Sequence, residues 1–522
     1  MLEQSYFKTN LFFAVIFIIA TAYFLYWGSD YTNHNHVLIF VLATFFGVFM
    51  AFNIGGNDVA NSFGTSVGAG TLTIRQALIV AAIFEVSGAM IAGGEVTETI
   101  RDGIVDLGTL HVEPMQFVYI MMASLLAASF WLLFATKNGY PVSTTHSIIG
   151  GIVGASITLG VMLSGANSAF ALVHWNQIGS IALSWVVSPL LGGVVSYLLY
   201  GYIKKHILSY NDEVEARLSK IQDAKKIYKL QYRQEFEALS VEEKLRCTSA
   251  IARDAQLIHY GDEREEDFES PYSKKIYEIE QQKDTIDARK AIENFVPLVA
   301  AVGSMIIAGM MIFKGLKHMD LEFTLVNKIL IMFMIGALVW MSTFIMAKSL
   351  HRRSLSSTTF VLFSWMQVFT ASGFAFSHGS NDIANAIGPF AAIMDVLRTG
   401  ELGSDAAVPP VAMLTFGIAL IAGLWFMGKE VIQTVGHNLT KLHPASGFSA
   451  ELAAATVVLL ASMLGIPVSS THILIGAVLG IGLVNAKANW ALMKPIALAW
   501  IITLPAAAIL SSIFFLIFSK FL

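Results

Sequence analysis

Long apolar segments broken by short polar ones run along most of this chain. Stretches of roughly membrane-spanning length lie at residues 10–27, 36–53, 76–94, 115–135, 177–201, 295–314, 326–346, 357–377, 408–427 and 493–518. A transmembrane helix needs about 20 apolar residues, and shorter runs at 146–163 and 449–484 raise the total to about twelve. Because the strands of a barrel would alternate apolar and polar positions, the pattern predicts an all-α polytopic membrane protein.

Composition supports the same class. Hydrophobic residues make up 55% of the chain and charged residues 13%, whereas a soluble globular chain carries about 25% charged residues. Most charges lie between residues 204 and 293, so the net charge of −4 says little about partners, and no nucleic-acid partner is expected. Cys247 is the only cysteine, which excludes an intrachain disulfide.

The apolar pattern divides the chain into four parts. We predict an extra amino-terminal span at 1–35, a first transmembrane repeat at 36–203, a helical insert at 204–293 and a second transmembrane repeat at 294–522. The first apolar run lacks a basic start and an Ala-x-Ala-like cleavage site, which favours a retained span over a signal peptide.

The insert is rich in Glu, Lys, Gln and Asp. Ser240 and Glu243 have the spacing of a helix capping box, and helix-period apolar positions accompany it, so we expect two or more surface helices. The short basic edges Lys204-Lys205 and His351-Arg352-Arg353 favour the cytoplasmic side for this part of the chain. A solvated linker and a regulatory domain both remain open.

Two polar phrases occur twice inside the apolar segments. Gly-Gly-Asn-Asp-Val-Ala-Asn at 55–61 returns as Gly-Ser-Asn-Asp-Ile-Ala-Asn at 379–385, and Pro-Val-Ser-Thr-Thr-His at 141–146 returns as Pro-Val-Ser-Ser-Thr-His at 467–472. Asn57 and Pro141 are 84 positions apart, and Asn381 and Pro467 are 86 apart. Matched polar breaks in two related halves indicate a transporter whose substrate binds where the repeats meet.

Each Asn-Asp phrase places a carboxylate within an apolar segment. An Asp at the bilayer centre costs about 2.5–3.5 kcal/mol, so Asp58 and Asp382 are candidates for holding a cation or lining a watery cavity. Asn57 and Asn61 are four residues apart and would share one face of a helix. Gly55 and its neighbour Gly56 would let the backbone break and approach a ligand closely. The alternative is that Asn and Asp only cap a helix at a surface turn.

The Pro-Val-Ser phrases have the composition of helix starts. Pro suits the first turn, and Ser or Thr can cap the free backbone donors. If these ends point into the protein, the unpaired N–H groups and the helix dipole form an anion site. Hydroxyl groups add donors without a fixed charge, and the alternative is that they only cap their own helices. The hydroxyl residues concerned are Ser143, Thr144, Thr145, Ser469, Ser470 and Thr471.

Other ionisable residues also fall in apolar segments. Glu85 lies inside a predicted span and Glu451 near the start of one. Glu451 is compatible with a simple interfacial position. His146 and His472 end the two Pro-Val-Ser phrases, and each is either a proton carrier or a hydrogen-bonded structural histidine.

These phrases closely resemble those of the inorganic phosphate transporter (PiT) family. The resemblance covers nearly all of residues 36–522 except the insert, and its motifs are long and duplicated. The run from Ser62 to Thr73, followed by Arg75-Gln76-Ala77, is most similar to the sodium-coupled branch of that family.

The resemblance implies an inverted-repeat fold of about twelve helices with broken or re-entrant segments, commonly a homodimer, that carries phosphate inward with a cation. It implies that Glu85 and Glu451 are the two glutamates the family needs for transport. The first span has no counterpart in the animal members, so the side of the amino terminus stays open. The residues implied to line the phosphate and sodium sites are Asn57, Asp58, Asn61, Ser143, Thr144, Thr145, Asn381, Asp382, Asn385, Ser469, Ser470 and Thr471.

We therefore predict a secondary active transporter of the cell membrane that imports inorganic phosphate by sodium symport. The co-transported sodium ion would bind at Asp58 and Asp382, and no cofactor is expected. A proton-coupled phosphate or metal-phosphate symporter, or a sulfate permease of the same family, remains an alternative. An enzyme is not expected, because a Ser three residues before a His gives no assurance of a nucleophile–base contact.

Overall fold

The described residues form helices joined by short turns. The structure is a computed structural model that describes residues 2–260, 265–315, 323–403, 408–438, 443–488 and 490–522. The α-helices are α1 (Leu2–Tyr31), α2 (Val37–Ile54), α3 (Ala60–Gly68), α4 (Ile74–Ala92), α5 (Gly94–Asp102), α6 (Pro114–Lys137), α7 (Thr144–Ser164), α8 (Trp175–Ile203), α9 (Ser209–Ala238), α10 (Val241–Tyr260), α11 (Pro271–Gln281), α12 (Val296–Gly315), α13 (Leu325–Ser349), α14 (Leu355–Asp382), α15 (Ala384–Thr399), α16 (Pro410–Asn438), α17 (Pro444–Met463), α18 (Ser470–Val484) and α19 (Trp490–Phe521).

Twelve helical stretches in the described part of the chain are long and apolar enough to cross a membrane. This confirms the prediction of an all-α polytopic membrane protein with about twelve transmembrane helices. The apolar run at 449–484 is divided into α17 and α18, because the second Pro-Val-Ser phrase starts a new helix inside it. The inverted orientation of the two repeats stays a prediction.

The chain separates into two compact units. The first contains Met1–Gly201, Ala300–Val339 and Phe363–Leu522, and the second contains Tyr202–Val299 and Trp340–Leu362. The predicted insert falls in the second unit, which also takes in the turn between α13 and α14. The boundaries of the four predicted parts stay predictions, since this division follows compactness and places most of both predicted repeats in the first unit.

Helices of the two predicted repeats interlock within the first unit. Helix α16 packs along α2 and α3, α19 packs on α6 and α7, and α15 packs on α2, α5 and α6. Helix α1 joins this assembly through Phe13, whose ring centroid lies 4.6 Å from that of Trp425. Side chains from sequence-distant segments therefore meet in a shared core.

Both helices that carry an Asn-Asp phrase are interrupted at the phrase, and each interruption is small. Gly55–Val59 forms a π-helical turn between α2 and α3, and Ile383 alone separates α14 from α15. π-Helical turns such as the first are frequent at functional sites. The expectation that Gly55 and Gly56 let the backbone approach a ligand closely stays a prediction, and the structure gives Gly55 another role. A Cβ at Gly55 would overlap the carbonyl oxygen of Leu420, so this glycine lets two helices approach closely.

The predicted surface helices of the insert are present in the second unit as α9, α10 and α11. The capping box at the start of α10 is confirmed: Ser240 N donates to Glu243 Oε2 at 2.9 Å, and Glu243 N donates to Ser240 Oγ at 3.4 Å. In α10, Asp254 accepts hydrogen bonds from the backbone N–H groups of Glu269 and Ser270, at 2.8 and 2.9 Å. Burial opposes ionisation of Asp254, but these hydrogen bonds outweigh it and lower the pKa of its carboxyl.

This carboxylate should make the insert sensitive to acid. Because its pKa is lowered on folding, its stabilisation is present above the unfolded value of about 3.9 and is lost as the pH falls through the folded value. At pH 7, Asp254→Asn should destabilise the segment that follows α10 by about 1–3 kcal/mol, since an amide can accept with one oxygen only. Hydrogen exchange at residues 265–281 measures the loss. The control, Asp284→Asn, changes an exposed side chain and should leave the exchange unaltered.

Candidate functional site

Both Pro-Val-Ser phrases lead into a helix, as predicted. Helix α7 starts at Thr144, where Ser143 Oγ accepts from His146 N at 3.1 Å. Helix α18 starts at Ser470, where Ser469 Oγ accepts from His472 N at 3.3 Å. The two prolines lie before the first turn rather than within it, because each capping serine is two residues further along the chain.

The two asparagines that open the Asn-Asp phrases hold these helix starts in place. Asn57 Nδ2 donates to Thr136 Oγ1 at 2.9 Å and to the carbonyl of Tyr140 at 3.1 Å, and its Oδ1 accepts from Val142 N at 3.3 Å. Both amide hydrogens and one acceptor position of Asn57 are thus used within the protein. This arrangement ties the π-helical turn to the loop before α7.

The second copy repeats this pattern. Asn381 Nδ2 donates to Ser462 Oγ at 3.0 Å and to the carbonyl of Ile466 at 3.4 Å, while its Oδ1 accepts from Val468 N at 3.3 Å. The sequence duplication is therefore a duplication of hydrogen bonds. The phosphate-binding role predicted for Asn57 and Asn381 stays a prediction; in this structure both residues position a loop.

The two aspartates accept hydrogen bonds from hydroxyl groups at the helix starts. Asp58 accepts from Thr144 Oγ1 at 2.6 Å and from Thr471 Oγ1 at 2.8 Å, so one carboxylate binds α7 and α18 together. Asp382 Oδ2 accepts from Ser470 Oγ at 2.5 Å. Both side chains are buried.

A histidine that the sequence reasoning missed links the remaining carboxylates. His378 Nδ1 lies 2.7 Å from Glu85 Oε2, and its Nε2 lies 2.8 Å from Asp382 Oδ2. A neutral imidazole carries one N–H, so both contacts are hydrogen bonds only when an additional proton sits on the ring or on a carboxyl group. One ligand atom each from Asp58, His378 and Asp382 lies within 4.8 Å of the others.

This cluster has more negative charge and more acceptors than the protein satisfies. Glu85, Asp58 and Asp382 provide three carboxylates, and His378 contributes at most one positive charge. Among the described residues, Glu85 Oε1, Asp382 Oδ1 and Asn385 Oδ1 are buried oxygens without a hydrogen-bond partner. Buried charges are normally paired, so the cluster is chemically suited to a cation.

Glu451 lies apart from this cluster and is surrounded by its own hydrogen-bond donors. Its Oε1 accepts from Thr65 Oγ1 at 2.7 Å, Ser66 Oγ at 2.5 Å and Gln367 Nε2 at 3.1 Å, and its Oε2 accepts from Thr370 Oγ1 at 2.8 Å. The interfacial alternative for Glu451 is wrong, because α17 begins at Pro444 and places this residue two turns inside the helix, fully buried.

The remaining predicted residues lie among these contacts. Asn385 Nδ2 donates to Thr144 Oγ1 at 3.0 Å and to Thr145 Oγ1 at 3.2 Å, and Thr145 Oγ1 donates to the carbonyl of Val468 at 2.9 Å. The side chain of Asn61 lies outside the described residues, so its predicted position on the face of Asn57 is not seen here. Asn381 and Asn385, the matching pair, contact different partners because the turn at Ile383 separates them.

His146 and His472 lie in a row of aromatic rings. The ring centroid of His146 is 3.9 Å from that of Trp185 and 4.6 Å from that of His472, which in turn lies 3.7 Å from Trp500. The tryptophans belong to a third repeated phrase, Ala-Leu-x-Trp, at 182–185 and 497–500. That repeat was the signal by which the sequence could have revealed them.

The other residues missed from the sequence gave weaker signals. His378 stands four residues before Asp382, a spacing that puts both on one helix face. The first copy has Ile54 at the matching place, so comparison of the copies does not select it. Thr65, Ser66 and Thr370 resemble ordinary helix hydroxyls in sequence, and only their approach to Glu451 distinguishes them.

Comparison with known proteins shows the family to which this chain belongs. A model of a family described as the phosphate transporter family matches residues 54–511. The chain belongs to the phosphate transporter family. A candidate phosphate permease of Mycobacterium bovis is 60% identical over 505 residues, which cover 97% of this chain and 92% of that protein. The inorganic phosphate transporter 2-1, chloroplastic, of Arabidopsis thaliana is 33% identical and is matched over 91% of this chain and 72% of its own length.

A solved structure is similar over nearly the whole fold. The protein described as the sodium-dependent phosphate transporter aligns with a TM-score of 0.70 and 30% identity, covering 93% of this chain and all of that one. Membership of the phosphate transporter family, together with twelve candidate spans, makes this a multi-pass membrane transporter and not an enzyme. The resemblance inferred from the repeated phrases is thereby confirmed at the level of the family.

Proposed function

We propose that this protein imports inorganic phosphate by sodium symport. The observation that carries the proposal is the buried cluster of three carboxylates around one imidazole, next to two helix starts. A single buried site with excess negative charge on one side and N–H and O–H donors on the other suits the joint binding of a cation and an oxyanion.

Sodium would bind among the oxygens of Asp58 and Asp382, with the nearby hydroxyl and amide oxygens. Hard cations prefer oxygen ligands, and the unpartnered Asp382 Oδ1 and Asn385 Oδ1 offer them here. Glu85 would act through His378, whose contact with Asp382 fixes the orientation of that carboxylate.

Phosphate would bind at the amino-terminal ends of α7 and α18. The first N–H groups of a helix lack partners within the helix, and the dipole favours negative charge there. The hydroxyls of the two starts, with Asn385, supply donors that carry no fixed charge. Binding of this kind is loose enough for the anion to be released on the other side of the membrane.

The coupling would run through shared hydroxyl groups. In this structure the hydroxyls of Thr144, Ser470 and Thr471 donate to the two aspartates. Each hydroxyl has one hydrogen and two acceptor positions. A cation bound to the aspartates would also be coordinated by the hydroxyl oxygens. The hydroxyl hydrogens would then be free to donate to phosphate. The cation would also screen the negative charge of the carboxylates from the anion.

The membrane potential would add to this coupling. A transported complex with net positive charge gains about 2.3 kcal/mol per charge for each 100 mV of inside-negative potential. The alternating exposure of the site would follow from movement of one repeat against the other. Homodimer formation and the cytoplasmic position of the insert stay predictions.

The carboxylates would also discriminate between oxyanions. Phosphate near neutral pH retains at least one proton, which an ionised carboxylate can accept in a hydrogen bond, whereas fully ionised sulfate has none to offer. Leaving a buried polar group unpaired makes such discrimination large. Arsenate, with the same shape and protonation, should compete with phosphate.

The similarity to a structure described as sodium-dependent supports sodium over protons as the coupling ion. Proton coupling through His146 or His472 is less favoured, since each ring lies against a tryptophan ring in the interior of the protein. A proton-coupled carrier using Glu85 and His378 is the remaining rival.

Uptake by reconstituted liposomes tests the proposal. Labelled phosphate should accumulate chemically unchanged when an inward sodium gradient is imposed at equal pH on both sides. A proton gradient without sodium should drive at most a small fraction of this uptake, and arsenate should inhibit it more strongly than sulfate. Accumulation that follows the pH gradient and ignores sodium would overturn sodium symport.

A further inference from the structure

The helix starts that would bind phosphate have a second face. Successive residues of an α-helix are rotated by about 100°, so a side chain two positions along points almost to the opposite side. His146 is two residues after Thr144, and His472 is two residues after Ser470. The hydroxyls face the aspartates, and the imidazoles therefore face away from them.

On that second face, four rings form a continuous row across the two repeats. Trp185 on α8 lies tilted against His146, His146 meets His472 edge-on, and His472 stacks on Trp500 of α19. The row contains one Trp–His pair from each repeat. Its centre is the contact between the two histidines, directly behind the proposed phosphate site.

The two histidines at the centre of the row are buried, and the tryptophans at its ends are half-buried. His472 is 2% exposed. Among the described residues, His472 Nε2, Trp185 Nε1 and Trp500 Nε1 are buried without a hydrogen-bond partner. Native proteins rarely leave such groups unsatisfied, and each case needs a reason. A purely apolar ring would carry no such unsatisfied nitrogen, so packing alone does not explain the choice of these residues.

We propose that Trp185, His146, His472 and Trp500 form an aromatic gate on the anion path. In this structure the gate is closed, because the four rings contact one another in sequence and the Nε atoms of Trp185, His472 and Trp500 are buried. When it opens, the ring N–H groups meet water and the departing anion, and there they find the partners that they lack here. The inference rests on the proposed phosphate site and adds the next hydrogen-bonding position along the path.

The chemistry of the rings suits this role. Apolar constrictions close a pathway by excluding water, and four aromatic rings in contact provide such a constriction. The indole group is a donor only, and a neutral imidazole carries one donor. These groups can therefore contact a phosphate oxygen without adding a fixed positive charge, which would hold the anion too tightly to leave.

Chemical labelling of an introduced cysteine tests whether the gate opens. The native cysteine is removed by Cys247→Ala, and His472→Cys is added to that background. A membrane-impermeant thiol reagent should label position 472 at least about tenfold faster with sodium and phosphate on both sides than without them. The control Ala123→Cys, at a buried position of α6, should remain unlabelled throughout. Labelling at 472 that is absent, or equal in all conditions, would overturn the gate.

Ring substitutions test the donor role separately. Trp185→Phe and Trp500→Phe keep an aromatic ring and remove the N–H, so the maximal rate of phosphate uptake should fall about tenfold while the half-saturating phosphate concentration stays unchanged. Trp131→Phe is the matched control, since its Nε1 donates to Thr503 Oγ1 outside the gate. Wild-type uptake rates in both gate variants would contradict the proposal that the indole N–H groups donate to the anion.

The outcomes also separate this inference from the proposed function. Wild-type protein whose uptake ignores sodium would contradict the coupling proposal and leave both gate tests valid. Sodium-driven uptake by the wild type, together with no labelling of the cysteine at position 472, would contradict the gate alone.

Discussion

Asp58→Asn and Asp382→Asn are each expected to abolish sodium-driven phosphate uptake, by at least about 100-fold, while the protein still inserts in the membrane. Asp58 accepts one hydroxyl from each helix start, at 2.6 and 2.8 Å. An amide has a single acceptor oxygen, so its NH₂ group would face a hydroxyl donor. Asp382 would lose its charge next to His378 and Ser470. Both changes remove negative charge from the proposed cation site, and initial uptake in proteoliposomes measures the effect.

The matched control is Asp30→Asn, which makes the same chemical change on an exposed side chain of α1. It should transport like the wild type. Size-exclusion profiles in detergent should be alike for all three variants, which distinguishes a lost site from a lost fold. Sodium-dependent uptake near the wild-type rate in both site variants would refute the assignment of the aspartates to the cation.

Gly55→Ala and Gly423→Ala should each prevent the normal packing of α16 against α2. A Cβ at Gly55 would overlap the carbonyl oxygen of Leu420, and a Cβ at Gly423 would overlap that of Phe52. Backbone atoms cannot move aside as the end of a flexible side chain can, so the helices must separate. We expect a cost of about 3 kcal/mol or more and a fall of the apparent unfolding temperature of about 5 °C or more. Thermal unfolding in detergent, followed by tryptophan fluorescence, measures it.

A third glycine provides the control for this prediction. A Cβ at Gly179, in α8, would meet no atom within 4 Å. Gly179→Ala should be neutral or stabilise by about 0.5–1 kcal/mol, because alanine loses less conformational freedom in a helix. If all three variants unfolded at the same temperature, the close approach of α16 and α2 would not contribute as the structure indicates.

The site was predictable from the sequence where its residues belong to the repeated phrases. Ser143 and Ser469 were expected as helix caps and are caps, since capping depends on residues only three positions apart. Asp58 and Asp382 stood out because a carboxylate in an apolar segment is costly wherever that segment folds. The sequence could not show that the side-chain amides of Asn57 and Asn381 would donate hydrogen bonds to loop carbonyls 83 and 85 residues away.

Residues outside the phrases were missed because their importance depends on distant partners. His378 contacts Glu85, which lies 293 positions away in the chain. Glu451 accepts a hydrogen bond from Thr65, which lies 386 positions away. The row of rings likewise joins residues of α7, α8, α18 and α19. Apart from the repeated Ala-Leu-x-Trp phrase of the two tryptophans, no clear local pattern distinguishes the missed side chains from ordinary core residues.

By itself, the sequence determined the membrane class, the number of spans, the two helix starts and the presence of buried carboxylates. These features follow from local hydrophobicity, helix capping and the cost of charge in lipid, and such properties act over a few neighbouring residues. Only the tertiary structure decided which hydroxyl meets which carboxylate, that an imidazole joins Glu85 to Asp382, and that two Trp–His pairs meet behind the site. These contacts require the interlocking of sequence-distant helices, because a polar side chain buried in the core must find its partners wherever the fold brings them.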